Sequence, residues 1–346
     1  MGSIKQFLEK KDIQFSAKRY FNDALSAMAL GLFSSLLIGL IIKTVGEQAL
    51  NIFGENSLSA LLIEIGTTAM GLMGAAVGIA VAWGLKAPPL VLFASTVTGM
   101  MGALFGGPAG AFLAAAIGAE FGKAVSKETK VDIIVTPAVT LIIGMLGAKL
   151  FGPAVGALMA GLGKVIMTAT EMQPFIMGII VSVVVGLVLT APISSAALCI
   201  MLGLSGLAAG AATIGCCAQM VGFAVISYKE NGIGGLIAQG IGTSMLQISN
   251  IIKNPWILVP PTLASAIIAP LGTVVFKMSN IPAGAGMGSS GLVGQIGTFT
   301  AMGFTVDVLG KVLLLHLVLP AVVAVGLNVL LKKQGKIKDG DYKLDL

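Results

Sequence analysis

The stretch MGAAVGIAVAWGLKAP, residues 73–88, decides the fold class. Its single charge is Lys86, and its apolar residues cover every face of a helix instead of alternating as they would along a half-buried strand. Such a segment is buried in protein or in lipid. The pattern returns 104 residues further on as MGIIVSVVVGLVLTAP, residues 177–192, and the match runs without a gap from Met73/Met177 through Gly99/Gly203 to Gly118/Gly222. After an insertion, IIVTPAVTLII from Ile133 resembles ILVPPTLASAI from Ile257. These pairs predict an internal two-fold repeat with copies over about 73–152 and 177–276, the arrangement that lets a site between two halves face either side of a membrane. Lys123, Lys127 and Lys130 follow the first copy, whereas Lys229 and Glu230 follow the second, an imbalance that fits copies inserted in opposite orientations.

Working outward, the chain has 346 residues, 56% of them hydrophobic and only 10% charged, with a mean hydropathy of +0.99. Soluble domains carry about 25% charged residues. The class is therefore an all-α polytopic membrane protein, with about ten hydrophobic segments, some re-entrant. Spans are expected near 22–45, 58–84, 88–106, 108–125, 131–152, 173–190, 192–212, 213–228, 256–276 and 303–331, with weaker segments at 153–171 and 233–252 as interfacial helices or re-entrant hairpins. Residues 1–21 read as an amphipathic N-terminal helix without the h-region of a signal peptide, 22–331 as the membrane domain and 332–346 as a tail. Basic residues crowd both ends, Lys5, Lys10, Lys11, Lys18 and Arg19 before the first span and Lys332, Lys333, Lys336 and Lys338 after the last, so both termini are expected in the cytoplasm of a bacterial cell. The net charge of +6 is then topology and contact with anionic headgroups, not nucleic-acid binding.

Cys199, Cys216 and Cys217 fall in apolar segments and read as small buried hydrophobes, and the single His316 cannot build a multidentate metal site. Neither a metal nor a cofactor is expected. Ionisable groups inside apolar spans are costly and so become functional candidates. Glu64, flanked by apolar residues with Thr67 and Thr68 a turn on, suits a solute hydroxyl, a cation or a proton, or else a packing hydrogen bond to those threonines. Glu120 beside Lys123 and Lys127, and Asp307 four residues before Lys311, read as ion pairs, and His316 as a hydrogen-bonded packing residue. Pro88, Pro137, Pro192, Pro260, Pro261 and Pro270 lie in or beside spans and read as kinks.

NIPAGAGMGSSGLVGQIG, residues 280–297, is too rich in glycine for a lipid-facing helix. Non-helical backbone is tolerated at membrane depth only where protein or a watery cavity satisfies it. The segment is expected to be a re-entrant, substrate-facing tip offering Ser289, Ser290 and Gln295; the competing reading is a flexible aqueous loop. It is no dinucleotide fingerprint, because no βαβ unit surrounds it.

In TATEMQPFIMG, Thr170, Glu171, Pro174, Phe175 and Gly178 resemble the Thr-Glu-Pro-hydrophobic-Phe-Gly signature of the membrane subunits (IIC) of bacterial sugar phosphotransferase systems, with Met172 and Gln173 between the glutamate and the proline. The basic N-terminal helix, the "APP" at 87–89 and the Gly-rich C-terminal segment look like the divergent second IIC family, which includes perfringolysin-regulator-like proteins. The resemblance implies that Glu171 binds a sugar hydroxyl, that the chain forms a homodimer in which a transport domain moves against a scaffold, and that phosphoryl groups come from separate IIA and IIB proteins. The expected function is transport of a small polar solute, a sugar among the candidates, by alternating access. The alternative is a membrane-embedded sensor that regulates gene expression indirectly. The chain itself is not expected to be an enzyme.

Overall fold

The computed structural model describes residues 2–191 and 194–344 and is helical, with no β-strand among the described residues beyond one isolated bridge between Gly206 and Asn280. Six helices are long and apolar enough to cross a membrane, Lys18–Phe53, Pro89–Val125, Asp132–Met172, Gly206–Ile226, Pro255–Val275 and Val306–Lys333, and a seventh crossing results if the pair Ser57–Gly71 and Met73–Gly84, bent by 50°, acts as one. The chain forms two compact units, Met1–Gly161 and Leu162–Leu346. Pro192, expected at a kink, lies outside the described residues.

In the first unit, α1 (Gly2–Lys10) is followed by α2 (Lys18–Phe53), α3 (Ser57–Gly71), α4 (Met73–Gly84) and α5 (Pro89–Val125). Asn56 caps α3 by accepting the Ser59 amide, and Pro89 opens α5 where a missing N–H costs nothing. Lipid tails are as apolar as leucine, so these helices associate through close packing of small residues. Gly39 of α2 meets the backbone of Gly66 on α3, and Gly78 of α4 meets Ser95 on α5. Within α5 the backbone breaks at Gly106 (φ −145°) and Gly107 (φ +58°), just before Pro108. The two legs then fold back on each other: a Cβ on Gly102 would strike Gly110, and one on Gly118 would lie 3.3 Å from Thr98. α5 is thus a helical hairpin, which agrees with the separate segments expected at 88–106 and 108–125. Each leg is about 27 Å long at 1.5 Å per residue, close to the bilayer's hydrocarbon thickness. By contrast, the segments expected at 131–152 and 153–171 are one continuous helix, α6 (Asp132–Met172), despite Pro137 and Pro153.

The second unit is built around α9 (Gly206–Ile226), preceded by α7 (Pro174–Thr190) and the short α8 (Ser195–Leu202). The break between α8 and α9 falls at Gly203 (φ +63°) and Gly206 (φ +61°), not at residue 212 as the sequence suggested. α9 is the most buried span, 94% of its window lying inside the protein. Its run of Gly, Ala, Thr and Cys permits this: Gly215 abuts Ser182 of α7, and Gly222 would place a Cβ 3.0 Å from Pro261 of the helix Pro255–Val275. Ile214, Phe223, Ile268, Met278 and Leu315 fill the spaces around it. The weak segment 233–252 is a chain of short turns from α10 (Tyr228–Ile237), broken at Gly232, to α11 (Ile248–Lys253).

The tail folds back on the second unit. Beyond the last span, here α12 (Val306–Lys333), the chain reverses at Gly335 (φ +71°) and inserts Ile337 and Tyr342 into the second unit's core, Tyr342 being fully buried.

Candidate functional site

Residues 280–297 do not trail in solvent. The segment forms a short helical hairpin, Pro282–Ala285 and Val293–Met302 about a Gly-rich tip, and residues 283–289 are buried against α8 and α9. Asn280 anchors it. Its side-chain amide nitrogen has three acceptors for its two hydrogens, Thr213 Oγ1 (2.7 Å), Gly294 O (2.9 Å) and Thr298 Oγ1 (3.1 Å), and its Oδ1 accepts the Ile281 amide (2.7 Å). Its backbone pairs with Gly206 across the break before α9. Ser195 on α8 donates to Gly286 O at 2.7 Å. Only glycine fits at 288, where φ is +53° and a Cβ would stand 2.7 Å from Cys216. The backbone opened by glycine is thus satisfied by protein groups, as unwound chain in an apolar interior must be.

Two of the three polar side chains expected at this tip face inward. Ser289 donates to Gly240 O and approaches Met220 Sδ at 3.7 Å, while Ser290 is half-buried. Gln295 is buried, with its amide nitrogen 3.4 Å from His316 Nδ1 and 3.4 Å from Cys217 Sγ. Gln295 Oε1 and His316 Nε2 find no partner among the described protein groups. An unpaired polar group in such a place costs about 1–3 kcal/mol, which makes this cluster a candidate binding site. A second buried polar line runs nearby: Thr190 Oγ1 lies 2.9 Å from Ser244 Oγ and 3.3 Å from Gln219 Oε1, and Gln219 donates to Thr262 at 3.0 Å.

The match of this chain to a family model, "Phosphotransferase system, EIIC", extends over residues 22–344, nearly its whole length. The chain belongs to that family. An EIIC protein is the membrane component of sugar uptake, embedded in the bilayer and generally not catalytic itself; phosphoryl transfer belongs to separate IIA and IIB proteins. No curated protein and no solved structure matches the chain.

For this EIIC chain the remaining expected site residues are dispersed. Glu64 and Thr67 sit in the first unit, exposed, on the wall of an open cavity of about 760 Å³ lined also by Asn56, Ser59, Ile63 and Thr68. Glu171, in the second unit, is exposed in the last turn of α6. That is the negative end of a helix dipole, a position that disfavours a carboxylate by about 0.3–1 kcal/mol unless a donor meets it. Glu120 does form the ion pair read from its spacing, 2.9 Å from Lys123, and Asp307 pairs with Lys311 at 2.6 Å. Asn280, Thr213, Thr190 and Gln219 were missed. Each is a lone polar residue in or beside an apolar run, the same signal that singled out Glu64, but without a charge to draw notice. Among the described residues, no three His, Cys, Asp or Glu side chains are placed to share a metal ion.

Proposed function

We propose that this EIIC protein carries a small polar solute, a sugar, through the bilayer by alternating access, with solute hydroxyls bound at the Gln295–His316 cluster beneath the tip of the 280–297 hairpin. The observation that carries the reading is that two neighbouring buried side chains, Gln295 and His316, each leave a polar atom unpartnered, Oε1 and Nε2. One is a carbonyl acceptor and the other a ring nitrogen on the far side of the imidazole from Gln295, and each can take a hydrogen bond with a solute hydroxyl. Ser290, half-buried beside Ser289, lies on the same hairpin, while Glu64 and Thr67 line an open cavity of the first unit that can also take a polar solute.

The wider scheme follows the family. Two copies form a homodimer in the bacterial cytoplasmic membrane with both termini in the cytoplasm; the 280–297 hairpin enters the bilayer as a re-entrant element, and the two legs of the 89–125 hairpin each cross it. The two-fold repeat rests on the sequence match between residues 73–126 and 177–230. Reconstitution in liposomes with soluble phosphocarrier proteins and a panel of labelled sugars tests the scheme. One sugar is expected to accumulate, and Gln295→Leu is expected to cut its uptake at least tenfold while the protein still purifies as a folded species. Absence of uptake of every sugar, or full uptake by the variant, rejects it. Ligand-dependent stabilisation without flux would instead favour the sensor, a reading that the docked C-terminal tail supports by offering a releasable element.

A further inference from the structure

A second polar site lies at the end of the α5 hairpin where both of its legs terminate. A cavity of about 250 Å³ is lined by Lys10, Lys11, Lys123, Lys127, Pro88, Ser126 and Glu128, four ammonium groups against one carboxylate. Two of the lysines are built into the protein. Lys123, 2% exposed, spends its three donors on Asp12 O (2.8 Å), Leu85 O (3.0 Å) and Glu120 (2.9 Å). Lys11, its side chain 9% exposed, donates to Ser126 O and to Glu128. Lys10 and Lys127 have no such duty; Lys10 merely approaches Glu128 at 3.8 Å with its side chain 73% exposed. The excess of positive charge is thus held partly by buried groups that cannot turn away, around a space large enough for a tetrahedral oxyanion.

Glu128 is the revealing member. It sits on an exposed turn, its carboxylate bound to Lys11 and near Lys10, where an incoming anion would bind. We propose that this cavity is a phosphate-group site in which Glu128 is a built-in competitor, displaced when a phosphodiester or phosphate ion docks on Lys10, Lys11 and Lys127. Basic pockets at the ends of membrane helices bind anionic headgroups through this chemistry. The flanking surface favours a lipid as the source of the phosphate: Val131, Ile133 and Ile134 beyond the loop, and Phe15 and Phe21 beyond α1, are exposed apolar side chains along which acyl chains can lie.

The test uses the full chain in neutral detergent. Its thermal unfolding and retained lipid, read by native mass spectrometry, are followed with added phosphatidylglycerol, phosphatidylcholine, or sodium phosphate against sodium chloride at equal ionic strength. Phosphatidylglycerol is expected to stabilise the wild type and remain bound, with phosphatidylcholine inert. The double variant Lys10→Gln/Lys127→Gln, at exposed positions, is expected to lose retention about fivefold for each charge removed. Glu128→Gln is expected to bind more tightly by a similar factor, which a merely structural ion pair would not produce. Stabilisation by inorganic phosphate as well identifies a soluble phosphate as the ligand. No preference for either phosphate source, wild-type retention in the double variant, or unchanged or weaker binding by Glu128→Gln overturns the proposal. None of these readouts depends on solute uptake.

Discussion

Asn280 holds the 280–297 hairpin through a side-chain amide that shares its two hydrogens among two hydroxyls and a carbonyl. Hydrogen bonds between membrane helices average about 0.6 kcal/mol, so Asn280→Ala is expected to cost about 1 kcal/mol, measured as a lowered unfolding midpoint in detergent with faster amide exchange across 281–297. A loss confined to remote segments would show that the asparagine is not the anchor. Gly288→Ala should cost more, because it adds a side chain at positive φ and drives a carbon against Cys216. The glycine content of this segment marks it as non-helical backbone needing protein partners, and the structure shows those partners. Asn280, at the mouth of a glycine loop, reads as an ordinary turn former, and its long-range partner Thr213 is 67 residues away. Periodicity carries no information about contacts of that range.

At the level of elements, the sharpest success and the clearest miss have opposite physical causes. The split of α5 was legible because Gly106, Gly107 and Pro108 stack a left-handed position onto a missing amide, a local signal. Gly102→Leu, which would press a bulky side chain onto Gly110, is expected to open this hairpin, seen as faster amide exchange on both legs. The docked tail was illegible because in KKQGKIKDGDYKLDL the apolar residues are few and without helical or strand period, and two of them, Ile337 and Tyr342, decide the outcome. Tyr342 is fully buried, with its hydroxyl on Asn328 (2.8 Å), its amide on Glu230 (2.9 Å) and its carbonyl accepting from Gln247 (3.0 Å) and Asn231 (2.8 Å). Burial raises its phenol far above the ordinary value, so it stays neutral at working pH. Tyr342→Ala is expected to release residues 336–344 to protease while α9 stays protected. Two exposed ion pairs set the pH response. The Lys11 ammonium bound to Glu128, helped by Lys10, and the Lys332 ammonium bound to Asp339 hold these carboxyls below their ordinary range. A depressed carboxyl stabilises the fold above its unfolded pKa and loses that contribution as the pH drops through the folded one. Amide protection of the tail and of the turn carrying Glu128 should therefore stay level from about pH 8 to about pH 5 and fall below about pH 4. A decline already complete at neutral pH would assign the docking to other groups.

For the whole molecule, composition alone established a helical membrane protein, and nearly full-length family membership gave it a place in sugar uptake. What composition could not give was the number of helices, since a straight helix and a folded-back pair share the same hydropathy. Uptake as the sugar phosphate is expected only when separate phosphocarriers are supplied, because the described residues present buried thiols and a buried imidazole rather than an accessible acceptor. Phosphorylated product formed by the isolated chain would contradict this. The glycine contacts around α9 have a mechanical corollary. With Gly210, Gly215 and Gly222 each seated on a neighbour's backbone or on a proline ring, no room remains for that rod to slide or spin alone. A rearrangement of the second unit is therefore expected to carry α7, α9 and the Pro255–Val275 helix along together, with the bending taken up at positions such as Gly203 and Gly232, where the main chain already departs from helical geometry.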